Sequence, residues 1–475
     1  MKIYLLVDFG STYTKITAVD IDGETVIGRA QSPTTVETGI SAGFNEALAK
    51  LKHSCEYDEN DVYGRYASSS AAGGLKMAAI GLVPDLTLSA ARRAALGAGA
   101  KVVGAYGYEI DNAISEEIEG KNCDIIMLCG GTDGGNKKVI LHNAEMLAKS
   151  QINCPILVCG NRVVSGDIRE MLERAGKRTY VTNNVLPSVT EVDVEPAQNR
   201  IREIFIEHII KAKGFDEIKS YFDKAIIPTP KASLTAAALL ADGTKTEQGI
   251  GSLLVVEVGG ATTNIHSVAD ILPFTHDTIV RGLPESRVSR TVEGDLGIRY
   301  NARTIYELVG EEHLKHLAER MDAENATCDA DSYTQFVRNA VGHIPRNQEE
   351  SLMDTALAAA AVNIASQRHA GTLKTEFSAI GEVNIQYGKN LLNVKNILGT
   401  GGIFRYGYKP EKVLAAALFS EMTPWSLKPN APVAYLDADY LLYAAGLLSD
   451  EHPDAALRIM KNHIKPVALN GYNIS

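Results

Sequence analysis

Three short stretches of this 475-residue chain combine acids, glycines and hydroxyls in a way suited to holding phosphate. The first is Asp8-Phe9-Gly10-Ser11-Thr12-Tyr13-Thr14-Lys15. Gly10 lets backbone N–H groups come close to phosphate oxygens. Ser11, Thr12 and Thr14 add hydroxyl donors, and Lys15 brings a positive charge. Asp8, ending an apolar run, is placed to hold Mg2+ through water, because magnesium keeps much of its hydration shell. The second stretch, Glu257-Val258-Gly259-Gly260-Ala261-Thr262-Thr263-Asn264, repeats the layout with Glu257 as the acid and Thr262 and Thr263 as hydroxyls. Gly259, Gly260 and Ala261 keep its turn small. The third is Gly399-Thr400-Gly401-Gly402, after a strand-like run and before a helical one. There Gly399, Gly401 and Gly402 allow the backbone to lie against a flat base and ribose, while a helix N-terminus favours phosphate. Each stretch alone has the composition of an ordinary turn. The three together predict a site for ATP and Mg2+, with Asp8 and Glu257 as metal-side catalytic carboxylates.

The elements that carry these turns follow from local pattern. Ile3–Asp8 and Thr14–Asp20 are β-rich runs, and Asp22-Gly23 turns the chain into Glu24–Ala30. Leu253–Glu257 and Thr262–Val268 repeat strand–turn–strand in the second half, which predicts a duplicated architecture. Between them, Asp124–Leu128, Pro155–Cys159 and Thr179–Val181 alternate with the helical runs Ala144–Ser150 and Ser165–Gly176. That alternation predicts a parallel, Rossmann-like βαβ insert at about residues 105–185. Pro228-Thr229-Pro230 and the glycine-dotted Gly243–Gly251 read as a hinge region. The expected fold class is α/β, with a first lobe over residues 1–245 and a second over 246–475 that contains the third glycine stretch.

Composition limits the partners. Lys and Arg number 47 against 58 Asp and Glu, a net charge of −11 with no long basic run. Nucleic acid and anionic membrane surfaces need a concentrated positive face, so neither is expected as the main partner. No apolar run approaches the 18 or so residues of a membrane helix. Asp8 arrives too early for the apolar core of a signal peptide, and six cysteines without a C-x-x-C pair are too few for a disulfide framework. A cytoplasmic location is the expectation.

The order of the three turns resembles the actin, Hsp70 and sugar-kinase superfamily, whose site uses two phosphate motifs and an adenosine motif. The resemblance implies two ribonuclease H-like lobes closing over Mg-ATP. Longer strings narrow it: Cys129-Gly130-Gly131-Thr132-Asp133-Gly134-Gly135-Asn136 leading into Val139–Glu145, Gly160-Asn161-Arg162-Val163-Val164, Arg290–Gly297, and Arg368-His369-Ala370-Gly371-Thr372. These look like the glutamate mutase accessory protein family (MutL or GlmL, distinct from the mismatch-repair protein of similar name). The resemblance covers nearly the whole chain. It implies an ATP-binding accessory or reactivating factor that releases damaged cobalamin from an adenosylcobalamin-dependent mutase, such as glutamate (methylaspartate) mutase. A subunit of that mutase is the implied partner.

Two positions depart from the superfamily pattern: Glu257 stands where aspartate is usual, and Asn264 where an acid is common. Reading both as weakened positions predicts a slow Mg-dependent ATPase. Two alternatives share the same site, a small-molecule kinase and an ATP-dependent binding protein that does not hydrolyse. Asp133, Glu293, Asp295 and the Arg368-His369 pair are further candidates for ligand or partner contact. A turn is an equal alternative for Asp133, while capping or lobe contacts are the commoner fate of Glu293 and Asp295, and satisfying helix-terminal carbonyls that of the Arg368-His369 pair. His313 and His316 lack a zinc pattern, and neither a P-loop nor the D-x-H-x-x-G string of cobalamin carriers occurs.

Overall fold

The computed structural model describes residues 1–35, 39–55, 57–70, 75–98, 100–205, 217–378 and 381–469. Strand β1 (Ile3–Phe9) is buried along its whole length, as expected of a strand covered on both faces. It pairs antiparallel with β2 (Tyr13–Asp20), which pairs antiparallel with β3 (Thr25–Pro33). On its other side β1 runs parallel to β4 (Val62–Ser69).

The chain then builds a wholly parallel sheet from β5 (Leu75–Gly81), β6 (Ala100–Gly107), β7 (Ile125–Leu128), β8 (Ile156–Val158) and β9 (Thr179–Val181). Their spatial order is β6-β5-β7-β8-β9, a doubly wound arrangement. This sheet begins well upstream of the alternation legible in the sequence. The Leu-Lys-Met-Ala-Ala-Ile-Gly run of β5 has little intrinsic strand preference and owes its conformation to pairing on both sides. The short β10 (Ile227–Pro228) returns to pair with β4, completing the order β10-β4-β1-β2-β3.

A second mixed sheet repeats this plan. Strand β11 (Leu253–Val258) pairs antiparallel with β12 (Thr263–Val268). Beyond the short β13 (Ile279–Arg281), β14 (Val288–Glu293) lies antiparallel to β12. Strands β15 (Thr372–Ser378) and β16 (Gly381–Tyr387) form a small sheet with β13. Then β17 (Asn396–Gly401) runs parallel to β11, β18 (Val433–Asp437) parallel to β17, and β19 (Ile464–Val467) closes the edge. Both mixed sheets thus place their third, second, first, fourth and fifth strands in that order, the first three antiparallel. This is a duplicated α/β fold with a Rossmann-like parallel sheet inserted, the architecture that the sequence resemblance implied.

The expected hinge at Pro228-Thr229-Pro230 is instead the start of a helix, Thr229–Asp242. Proline is tolerated in a first helical turn, and the alanine-rich run behind it sustains the helix until Gly243. One face of this helix enters a core shared by both mixed sheets, where Ala232, Ala236 and Leu240 meet Leu6 of β1 and Val255 of β11. The Leu442–Leu448 helix joins the same core and crosses so closely that a Cβ on Gly446 would strike the Ala232 carbonyl. All six cysteines are free thiols. Among the described residues, no helix is long and apolar enough to cross a membrane.

Candidate functional site

The hairpin turns after β1 and β11 face each other across a cavity of about 450 Å³. They nearly touch: a Cβ on Gly260 would lie 3.0 Å from Thr12 Oγ1. Each turn is closed by its own backbone, Gly10 N donating to the Tyr13 carbonyl (3.1 Å) and Gly259 N to that of Thr262 (2.9 Å). Gly10, Ser11, Thr12 and Lys15 line one wall, Glu257 and Gly259 to Thr262 the opposite wall, and Gly401 and Gly402 a third.

The two carboxylates behind these turns are held very differently from free acids. Asp8 is 1% exposed and sits behind the cavity wall. It accepts from Thr229 Oγ1 at 2.6 Å and Ser68 Oγ at 3.3 Å, and it pairs with Lys15 Nζ at 3.4 Å. Lys15 is also roofed by the ring of Tyr440, 4.0 Å from its centroid, which attracts the ammonium without neutralising it. Tyr440 holds a left-handed backbone (φ 54), a strained choice for an aromatic residue and a frequent feature of functional sites.

Glu257 lines the cavity and accepts from Ser233 Oγ (3.3 Å), Asn264 Nδ2 (3.0 Å) and His266 Nε2 (3.2 Å). Burial works to raise its pKa, but the His266 and Asn264 contacts outweigh it and keep the carboxyl below the usual range. Burial lowers His266 below the ordinary imidazole value despite that neighbour. A neutral His266 donating to an ionised Glu257 satisfies both shifts. All of β12 is buried, including Thr263, Asn264, His266 and Ser267, and this network pairs part of its polar face.

Two atoms of this network stay unsatisfied among the described residues, His266 Nδ1 and Asn264 Oδ1, and only the second belongs to a residue lining the cavity. Asn264 lines the cavity, and its Nδ2 is committed to Glu257, so Oδ1 is buried without a hydrogen-bond partner among the described residues. A buried acceptor of this kind asks for a donor such as a bound water. Cationic Lys15 and turn backbone on one side, with two carboxylates and a free acceptor behind, suit a phosphate chain and a hydrated Mg2+. Among the described residues, no group of three or more His, Cys, Asp or Glu could hold a metal by itself, so phosphate and water oxygens would complete any coordination.

Besides Asp8, which sits behind the wall, three residues expected in the site lie off the cavity. Thr14 turns away along β2 and bonds Thr34 Oγ1 at 3.1 Å. Thr263 Oγ1 donates to the Leu296 carbonyl at 2.7 Å and anchors the loop behind the turn. Gly399 is within β17, where a Cβ would meet the Phe404 ring at 2.6 Å, so it serves packing. Asp133 is occupied in its own loop, accepting from Arg162 N (3.0 Å) and Asn184 Nδ2 (2.9 Å).

The cavity also holds residues that pattern alone did not single out. Arg299 makes a two-point ion pair with Asp354 (2.8 and 2.5 Å), and Tyr333 donates to the same carboxylate at 2.9 Å. Asp354 had a legible signal, an acid inside the buried, alanine-rich Gln348–His369 helix. Tyr440 had none.

A family model described as MutL protein matches residues 4–464. Protein MutL of Clostridium tetanomorphum is 45% identical over 468 residues, covering 98% of this chain and all of that relative. Among solved structures, the ADPNP-bound activator of the 2-hydroxyisocaproyl-CoA dehydratase from Clostridium difficile aligns over 98% of this chain and 99% of its own, at 8% identity and a TM-score of 0.34. A ligand-bound xylulose kinase from Lactobacillus acidophilus aligns over 98% and 93%, at 11% identity and a TM-score of 0.36. A glycerol dehydratase reactivase aligns over 94% and 99%, at 10% and 0.33. Likeness at these scores carries no functional weight.

Proposed function

We propose, since this chain belongs to the MutL protein family, that it is an ATP-binding accessory factor that reactivates an adenosylcobalamin-dependent mutase, such as glutamate mutase, by releasing damaged cobalamin. The observation that carries the nucleotide half is the pair of facing glycine turns, each with a buried carboxylate behind it. The mutase half rests on the family resemblance in the sequence. In this reading the protein works in the cytoplasm, and its lobes divide near residues 245 and 246.

Lys15 and the Gly10–Thr12 backbone would grip the phosphates from one side and Gly259 to Thr262 from the other. Gly401 and Gly402 would face the adenosine. Asp8 and Glu257 would hold waters of a bound Mg2+, which supplies charge neutralisation to the phosphates. Asn264 Oδ1 would accept a hydrogen from one such water, or from the water that attacks phosphorus. That attack forms a new P–O bond as the bridging P–O bond breaks, with ADP leaving and the displaced proton passing to phosphate or solvent. Turnover is slow in this reading, because Glu257, the carboxylate that lines the cavity between the turns, is held by three donors and its pKa is lowered. Glu257 is the natural base for a kinase acceptor hydroxyl, but three donors and a lowered pKa make it a poor one, which favours the accessory ATPase over the kinase.

The test combines calorimetry with Mg-ATP, phosphate release, and co-purification with a cobalamin mutase subunit in apo, ADP and ATP conditions. Nucleotide-dependent capture is the expected result. Failure to recover mutase in all three conditions, with turnover that rises only on adding a small acceptor, would favour the kinase instead.

A further inference from the structure

A second cavity, of about 440 Å³, lies where the parallel sheet meets the second mixed sheet. It shares no lining residue with the nucleotide cavity, so it cannot serve as an acceptor pocket opening on the same phosphates. Its two walls are charged differently. On one, Glu293 and Asp295 share a single cation, Arg368, whose Nη1 lies 2.7 Å from Glu293 and 2.9 Å from Asp295. On the other stand Lys101 of β6 and the exposed Arg92, and neither has a carboxylate within ion-pair distance among the described residues. Three cations against two carboxylates leave the lining one positive charge in excess, and the two cations outside ion pairs stand on the same side. Burial lowers the pKa of Lys101 below the ordinary ammonium range, a cost that an anion seated beside it would offset.

The same wall is wired to the nucleotide turn. Lys101 Nζ donates to the Gly294 carbonyl at 2.7 Å. Asn301 Nδ2 donates to that carbonyl and to the carbonyl of Ala261, both at 2.9 Å. Ala261 belongs to the second glycine turn, so one carbonyl and one amide separate Lys101 from the candidate phosphate site.

We propose that this cavity is an effector site for a small oxyanion, a carboxylate or a phosphate, held by Arg92 and Lys101 and communicating through Gly294 and Asn301 with the second glycine turn. Binding stands on the cavity alone, while the communication rests on the nucleotide reading above. An anion drawing the Lys101 ammonium towards itself weakens its bond to Gly294 and frees that carbonyl for Asn301. The ligand thereby distinguishes two arrangements of the turn, the condition for shifting a population between them.

Succinate and inorganic phosphate, titrated separately into the nucleotide-free full-length protein by calorimetry, test the site and tell the two anion classes apart. At least one should bind, with affinity falling about tenfold or more in Lys101→Met and in Arg92→Met and unchanged in Lys15→Met. Arg92 is exposed, so its variant remains informative if Lys101→Met folds poorly. Silence of both probes, or binding lost in Lys15→Met and kept in the other two, overturns the site. With the bound probe saturating, the Mg-ATP affinity of the wild type should change by about threefold or more, and Asn301→Leu should abolish the change. No shift in the wild type overturns the communication. A protein that binds the probe but no ATP would sink the nucleotide reading and leave the anion site standing.

Discussion

Thr229 and Ser233 stand one helical turn apart and hold the two candidate metal-side carboxylates from opposite halves of the molecule. Thr229 Oγ1 donates to Asp8 at 2.6 Å, and Ser233 Oγ donates to Glu257 at 3.3 Å. Residues four apart lie on one helix face, so the Thr229–Asp242 helix fixes the spacing of the two acids. Removing either hydroxyl leaves a carboxylate in place but less precisely aimed, which affects turnover more than binding. We expect Thr229→Val and Ser233→Ala each to lower phosphate release about tenfold while Mg-ATP affinity by calorimetry stays within about twofold. Wild-type turnover in both variants would show that the helix only packs.

The third glycine stretch calls for a test at Gly402. Gly401 has φ 113, and a Cβ there would run into the Val258 carbonyl, so Gly401→Asp would distort β17 itself. Gly402 has nothing within 4 Å of a Cβ and lines the cavity. Gly402→Asp should therefore keep the wild-type circular dichroism and lower Mg-ATP affinity about tenfold or more through charge repulsion. An unchanged affinity would take this wall out of the nucleotide site.

Reading Glu257 and Asn264 as weakened positions predicts that Glu257→Asp with Asn264→Asp raises basal ATPase, but the geometry argues for the opposite. Glu257 and Asn264 are direct cross-strand partners, and the amide of Asn264 is a donor to Glu257. Glu257→Asp with Asn264→Asp would set two carboxylates facing each other with that donor gone, and one of them would hold a proton into a higher pH range. We expect the double variant to hydrolyse ATP more slowly than wild type near neutrality and to recover as pH rises. A faster basal rate at pH 7 would restore the reading of these positions as weakened.

Two buried histidines set an acid limit on stability. His369 lies between Ser267 Oγ (2.8 Å) and Thr291 Oγ1 (3.1 Å), and burial lowers its pKa well below the ordinary value of 6.5, as it lowers that of His266. Both bind protons more readily when unfolded. Their contribution is therefore present in full above about pH 6.5 and is lost as pH falls towards the folded-state values. Urea midpoints should fall between pH 7.5 and 5.5, and His369→Gln should flatten that slope. Equal slopes in the two proteins would remove His369 from the account.

The strand–turn–strand openings were readable because hydrophobic runs, glycines and acids alternate locally at residues 3–20 and 253–268. Hydroxyl type, by contrast, does not reveal which face a side chain takes. Thr14 and Thr263 carry the right chemistry but point away, since side chains alternate across a strand and one step of register moves them. Gly399 misled because β17 continues to Gly401 instead of ending before the glycines. The contacts of Lys15 with Tyr440 and of Arg299 with Asp354 join residues far apart in the chain, and no local pattern encodes such pairs.

The shared core has a consequence for synthesis on the ribosome. Tyr443 reaches back to Thr17 (3.0 Å) and to the Leu6 carbonyl (3.3 Å), His452 meets Tyr4 (2.8 Å), and Arg458 pairs with Glu24. Residues 3–24 are translated first among these and receive their cover last. At elongation rates of about 5–20 residues per second, that interval lasts tens of seconds. Throughout it, Tyr4 and Leu6 remain uncovered on the side that the last helices will occupy. A nascent chain halted shortly before residue 440 would expose its earliest strands, which makes the final helices the closing step of the amino-terminal sheet's own folding.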